Sequence, residues 1–270
     1  MIKLTDQEFE TLTTFVKRNY GINLEKKRVL LEGRLNSVLI EKGCKTFSDY
    51  IKILQADRSG IELSVLLNKV TTNHTFFMRE PKHFEFLKNT ILPEQEKINT
   101  RKQYNIWSAG CSVGAEVYTT AMTLHDYFGV KKSSWRFKML ATDISQNVLG
   151  KAKEGIYQED LIKDVSPAWK NSYFKKLPDG QYQVQDSIRK DVEFRVLNLM
   201  DNFTFPTKFN LIFCRNVMIY FDQETRNQLI NRFYNVLEPG GYLFIGHSET
   251  IQRETTKFNY IAPAIYRKEA

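Results

Sequence analysis

The sequence predicts an α/β fold in which a small helical domain precedes a mainly parallel sheet covered by helices on both faces. Three observations predict it. Residues 1 to about 75 carry helical periodicity with no convincing strand, and the chain from about residue 99 onward alternates strand and helix patterns. Between them, Tyr104 to Met122 passes from a buried-strand pattern through a glycine-bounded turn straight into a helix. At 270 residues the chain can bury a substantial core, and a 42% hydrophobic content excludes wholesale disorder.

Taken in order, residues 1–75 read as several short amphipathic helices broken near Gly21, Gly43 and Gly60. In the second of them Leu31, Leu35, Val38 and Leu39 form the apolar stripe, which leaves the charges on the solvent side. Between Lys17 and Lys52 nine basic residues stand against four acidic ones, and the whole chain carries a net charge of +8. Such a face is either simply solvated or a docking surface for an acidic partner, with Lys27, Arg28 and Arg34 as its candidate contacts. Residues 76–98 read as a linker helix begun after Pro81, and 99–270 as the α/β domain.

Ile106, Trp107 and Ala109 make the first buried strand, Gly110 to Gly114 permits a tight turn, and Ala115 to Phe128 is helical. The unpaired N–H groups of that helix suit a ligand, but Glu116 in its first turn would repel a pyrophosphate and attract a cationic or hydroxyl-rich group. The next strand, Arg136 to Thr142, ends at Asp143 just before Ser145, a helix cap. Asp143 can accept both hydroxyls of a ribose, or merely help cap the helix near Gln146. The loop lacks Gly-x-Gly-x-x-Gly, and Asp143 lies well beyond the roughly 20-residue offset of a dinucleotide site. Adenosine attached to a sulfonium amino acid fits better.

Near Tyr173 to Val196 the alternation changes. A Pro178-Asp179-Gly180 turn between short alternating runs reads as an inserted antiparallel hairpin over 173–196. Phe209 to Cys214 and Tyr242 to Gly246 then supply further buried strands, with a helix from Gln223 to Leu237 closed by a Pro239-Gly240-Gly241 turn.

Other classes are disfavoured. No stretch approaches a membrane span, and the N-terminus has acids and no apolar signal core, so a cytoplasmic protein is expected, without membrane insertion. Cys44, Cys111 and Cys214 are widely separated and odd in number, as free thiols would be. His74, His83, His125 and His247 have no metal-ligand spacing, and no metal is expected.

With these motifs in hand, the chain resembles the chemotaxis receptor methyltransferases, the CheR family. The resemblance runs through NHTFFMRE (Asn73 to Glu80), WSAGCSVGAEVY (Trp107 to Tyr118), LATDIS (Leu140 to Ser145), LNLM (Leu197 to Met200), IFCRNVMIYFD (Ile212 to Asp222) and GYLFIGHSE (Gly241 to Glu249). Val113, Ala115, Val117 and Met78 depart from the family pattern. The resemblance implies a helical N-terminal domain, then a Rossmann-like S-adenosylmethionine-dependent methyltransferase domain with an inserted small antiparallel β-subdomain. It implies methyl transfer from S-adenosylmethionine to receptor glutamates, leaving S-adenosylhomocysteine. Carried over, the cofactor contacts are Asn73, Thr75, Arg79, Glu116, Asp143, Asn198, Leu199, Arg215 and Asn216.

The catalytic candidates are Arg79, whose fork can orient a carboxylate or merely make a domain-linking salt bridge, and Tyr220, a wall beside the methyl group or a core aromatic. The implied partners are the glutamate-rich cytoplasmic helices of chemoreceptors; in some members of the family a receptor C-terminal peptide docks at the β-subdomain, which is here either such a site or a plain surface excursion. A monomer is expected. A methyltransferase acting on RNA through the basic face is the competing reading, and the chain shows no stacking-aromatic and arginine module to support it. A non-catalytic cofactor-binding protein is the third.

Overall fold

The computed structural model describes residues 2–70 and 75–269. Four helices open the chain: α1 (Asp6–Tyr20), α2 (Arg28–Glu41), α3 (Phe47–Ala56) and α4 (Ile61–Val70). Local chemistry sets their limits. Thr5 and Glu8 form a reciprocal capping box at the start of α1, Thr46 and Asp49 do the same for α3, and Gly21 ends α1 in the left-handed conformation. The apolar stripes of these helices, including Leu12, Val16, Leu31 and Leu35, are fully buried.

Next come α5 (Lys82–Phe86) and α6 (Leu92–Ile98), joined by a π-helical turn at Leu87–Ile91. The linker is no free connector. Phe84, Leu87, Ile91 and Leu92 are buried in the core of the α/β domain beside Tyr104, Ile106 and Met122.

The sheet begins with β1 (Gln103–Ala109), followed by α7 (Ala115–Phe128), β2 (Arg136–Asp143) and α8 (Gln146–Glu154). Then come β3 (Ile156–Tyr157), α9 (Pro167–Tyr173), β4 (Phe174–Lys176), β5 (Tyr182–Val184), α10 (Asp186–Arg189) and β6 (Val192–Val196). Strand β7 (Phe209–Cys214), helix α11 (Gln223–Val236) and strands β8 (Leu237–Ile245), β9 (Asn259–Ala262) and β10 (Ile265–Arg267) complete the described chain. Seven strands form one sheet in the order β6-β2-β1-β7-β8-β10-β9, parallel from β6 through β8, with β10 antiparallel to both β8 and β9.

Side-chain alternation divides the core in two. On β1, Trp107 and Ala109 face a cluster shared with Leu229 and Phe233 of α11 and with the N-terminal helices, whereas Tyr104 and Ile106 face the cluster built by α5, α6 and α7. Trp107 sits among Phe203, Phe205, Phe209 and Phe233, and its indole N–H donates to Thr142 Oγ1 at 2.9 Å.

Three details differ from the sequence reading. The hairpin about Pro178-Asp179-Gly180 is present, but β3 joins it, giving a three-stranded antiparallel sheet in the order β3-β5-β4. Residues Val192–Val196, expected inside the 173–196 insertion, instead form β6 and pair parallel to β2. The short alternating run VEFRV reads equally as hairpin or half-exposed edge strand, and only the parallel partner decides. Finally, Pro239-Gly240-Gly241 lies within β8, where the register against β7 shifts between Phe209 and Leu211 and absorbs the extra residues as a bulge.

Candidate functional site

The strand order reverses direction at β1, whose neighbours β2 and β7 lead to opposite edges of the sheet. Open α/β sheets bind ligands at that switch point, beyond the carboxyl ends of the strands. Here a cleft of about 440 Å³ opens at that place. Thr75, Arg79, Glu116, Asp143, Asn198, Leu199, Arg215 and Asn216 all line it, as does Tyr220. They come from five separate segments. Asn73 lies outside the described residues. Tyr20, Ile22, Leu67 and Asn68 of the helical domain close one side of the cleft.

The floor is the turn after β1. Gly110 and Cys111 both donate to the Thr142 carbonyl, at 2.8 and 2.9 Å, which ties the turn to the end of β2. Gly110 has φ +82°, and a Cβ there would lie 2.4 Å from Val217 Cγ2, so only glycine fits. The phenol of Tyr157, from the β-subdomain, donates to the Val113 carbonyl at 2.6 Å and props the turn from outside. Asp143 spans the two loops: one carboxylate oxygen accepts the Ser112 N–H at 2.9 Å and the other the Ser145 N–H at 3.0 Å. Burial pushes its carboxyl up, and those amide hydrogen bonds oppose the shift. Both oxygens keep further lone pairs for a ligand hydroxyl.

Arg215 organises the opposite wall. Its side chain is 3% exposed, and its Nε donates to Glu80 at 3.1 Å, its Nη1 to Glu116 at 3.2 Å and its Nη2 to the Arg79 carbonyl. The guanidinium is thus committed inside the protein, which makes it a scaffold for Glu116 and the Arg79 backbone. Glu116 also accepts the Ser108 hydroxyl at 2.7 Å. Burial raises its carboxyl, with Arg215 and Ser108 pulling the other way.

Four residues other than glycine hold left-handed backbone around this site: Met78 (φ 64°), Glu80 (φ 57°), Ser112 (φ 51°) and Asn216 (φ 59°). Conformations of that kind cost energy and persist where surrounding contacts over-determine them. Met78 is held by its N–H donating to Thr119 Oγ1 at 3.3 Å. Of the other departures from the family pattern, Ala115 and Val117 are buried in the core, where they pack and do not face the cleft.

Glu80 and Glu249 were missed as functional residues by sequence reasoning, although both end quoted motifs. The partners that tie them to the site, Arg215 for Glu80 and Asn216 and Ile219 for Glu249, are 135 and 30 to 33 residues away, and no local spacing signals those. The fold also brings Glu80, His83 and His247 together, ligand atoms within 4.8 Å, which sequence spacing did not suggest. The Glu80 carboxylate there is already taken by Arg215 and by the His247 N–H.

Lys27, Arg28 and Arg34 lie apart from the cleft, around a depression at the start of α2. Arg28 pairs with Asp6 at 2.6 Å and stacks over Phe9, and Arg34 donates to the Lys69 carbonyl at 3.1 Å.

The family profile described as "CheR methyltransferase, SAM binding domain" matches residues 73–266, and "CheR methyltransferase, all-alpha domain" matches residues 7–71. The chain belongs to the CheR methyltransferase family. Among curated relatives, a chemotaxis protein methyltransferase of Borreliella burgdorferi is 49% identical over 99% of this chain and 96% of its own. One from Pseudomonas aeruginosa is 36% identical, covering 90% of each chain. The Escherichia coli protein is 34% identical over 98% of this chain and 92% of its own. As a CheR-family methyltransferase the chain takes S-adenosylmethionine, and the cleft fits that cofactor. Its volume lies within the range for small-molecule sites, Ser112 Oγ on its wall is buried without a hydrogen-bond partner, and the Glu116 and Asp143 carboxyl groups line it with oxygens that can accept from hydroxyls. Among the described residues no helix is long and apolar enough to cross a membrane.

Proposed function

We propose that the protein transfers the methyl group of S-adenosylmethionine to glutamate side chains on the cytoplasmic helices of chemoreceptors. The observation that carries this reading is the convergence of every described candidate cofactor residue on one cleft at the sheet's switch point. Bound there, the cofactor supplies an electrophilic methyl on a sulfonium.

The nucleophile needs no general base, because a glutamate of ordinary pKa near 4.3 is ionised at neutral pH. What remains for the chain is alignment, and a near-attack pose supplies roughly 7 to 11 kcal/mol. In this reading Asp143 accepts the ribose hydroxyls, with Glu116, Asn198, Leu199 and Asn216 lining the rest of the cofactor seat. Arg79 holds the incoming carboxylate by its fork, and Tyr220 walls the reacting side of the cleft. Closure by Tyr20, Ile22 and Leu67 excludes water from that space.

The receptor helix docks on the α2 face through Lys27, Arg28 and Arg34, while a receptor C-terminal peptide adds to an edge of the small sheet, at β3 or β4. Labelled methyl transfer to purified receptor fragments, scored as base-labile ester and compared with total RNA, tests the proposal. Label in RNA and none in the fragments overturns it.

A further inference from the structure

The loop after β7 carries Asn216 and Tyr220, both on the cleft wall, yet what fixes its backbone is a residue outside the cleft. Glu249 is 7% exposed. One of its oxygens accepts the Asn216 N–H at 2.9 Å and the Gly246 N–H at 2.7 Å, and the other accepts the Ile219 N–H at 3.1 Å. A single carboxylate therefore gathers amides from the end of β8 and from both ends of the Asn216 to Ile219 stretch. Three donors on one buried acceptor demand a carboxylate, since an amide would turn an N–H toward one of them.

The clamp acts on a conformation that does not hold itself. Asn216 sits at φ 59°, a position unfavourable for a residue with a Cβ. Its side chain lies against Gly246, where an added Cβ would meet Asn216 Nδ2 at 2.4 Å and Asn216 N at 2.9 Å. Downstream, the Tyr220 carbonyl accepts the Asn23 N–H at 2.8 Å and Phe221 bridges to Ile22, so the same loop carries the contact with the helical domain that closes the cleft.

We propose that Glu249 is a positioning residue for methyl transfer: it sets the left-handed Asn216 turn and, through it, the placement of Asn216 and Tyr220 against cofactor and substrate. This rests on the methyltransferase reading above. The test compares wild type, Glu249→Gln and Gly246→Ala, the second pushing the same turn without touching the carboxylate. Folding is followed by circular dichroism and thermal unfolding, cofactor-product affinity by calorimetric titration with S-adenosylhomocysteine, and turnover with saturating receptor fragment.

Both variants, folded, are expected to bind S-adenosylhomocysteine about tenfold more weakly and to turn over about tenfold more slowly. A residue that merely stabilised the fold would lower the melting temperature and leave the dissociation constant of the folded protein where it was. That result in Glu249→Gln overturns the proposal. If Glu249→Gln does not fold, Gly246→Ala decides, and wild-type affinity and turnover in it overturn the proposal as well. Failure of the underlying reading looks different, because wild type itself would then methylate no receptor fragment.

Discussion

Arg215 Nη1 lies 3.2 Å from Glu116 Oε2 and joins the end of β7 to the first turn of α7 across the mouth of the cleft. Both side chains are nearly inaccessible, 3% and 14% exposed. Breaking a buried pair leaves an uncompensated charge, and here removal of Arg215 strands Glu80 as well. Arg215→Met should cost about 3 to 5 kcal/mol in chemical denaturation. A loss below about 1 kcal/mol would mean that water reaches these carboxylates in solution.

Asp143→Ala removes the proposed ribose acceptor and both of its amide bonds to the flanking loops. Each charge-assisted hydrogen bond is worth about 1.5 to 3 kcal/mol, so affinity for S-adenosylhomocysteine should fall at least about tenfold. An unchanged dissociation constant in a folded variant sinks the assignment.

The prediction for Arg79 separates chemistry from binding. Arg79→Lys keeps the charge and loses the fork, so turnover at saturating cofactor should drop about tenfold or more. Near-wild-type turnover would make another cation the carboxylate holder.

Reversing Lys27, Arg28 and Arg34 to Glu should raise the KM for receptor fragments, most at low salt, with cofactor affinity unmoved. Arg34→Glu alone should also destabilise the helical domain, because Arg34 donates to the Lys69 carbonyl at the end of α4. Equal KM values for wild type and triple variant at low salt would reduce this face to a solvated surface.

His83 predicts a pH dependence. It is fully buried, and burial, aided by Arg215 and His247, pushes its imidazole down to about 3. The unfolded chain binds a proton at His83 below about 6.5 and the folded chain does not until about 3, so its contribution to stability is complete above 6.5 and is lost as pH falls through that window. The slope is at most about 1.4 kcal/mol per pH unit. His83→Gln should flatten the stability profile between pH 6 and 4 by an amount of that order. Identical profiles for both proteins would show that His83 takes up its proton as readily in the folded chain as in the unfolded one.

What the sequence disclosed follows from how information is stored along a chain. The segment from β1 to α8 was legible because buried parallel strands leave continuous apolar runs and helices carry caps beside them, as at Ser145. Strand β6 was not, since Val192 to Val196 is largely exposed and its identity depends on β2, far upstream. The closing pair β9 and β10 went unread for a similar reason: Asn259 to Arg267 is short and takes its meaning from β8. Within the site, Asp143 announced itself at a strand end, whereas Glu80 and Glu249 act through partners on other elements.

One apolar cluster runs without interruption from Leu12, Val16 and Leu31 of the N-terminal helices to Trp107, Ile212 and Phe233 of the sheet layer. Its consequence is cooperative melting. A calorimeter should record one endotherm for the described chain, not a separate low-temperature event for the helices. Severing the polypeptide near residue 75 would turn interior into surface, so the sheet portion released on its own should aggregate. Helical domain and sheet domain are, in this sense, a single thermodynamic object.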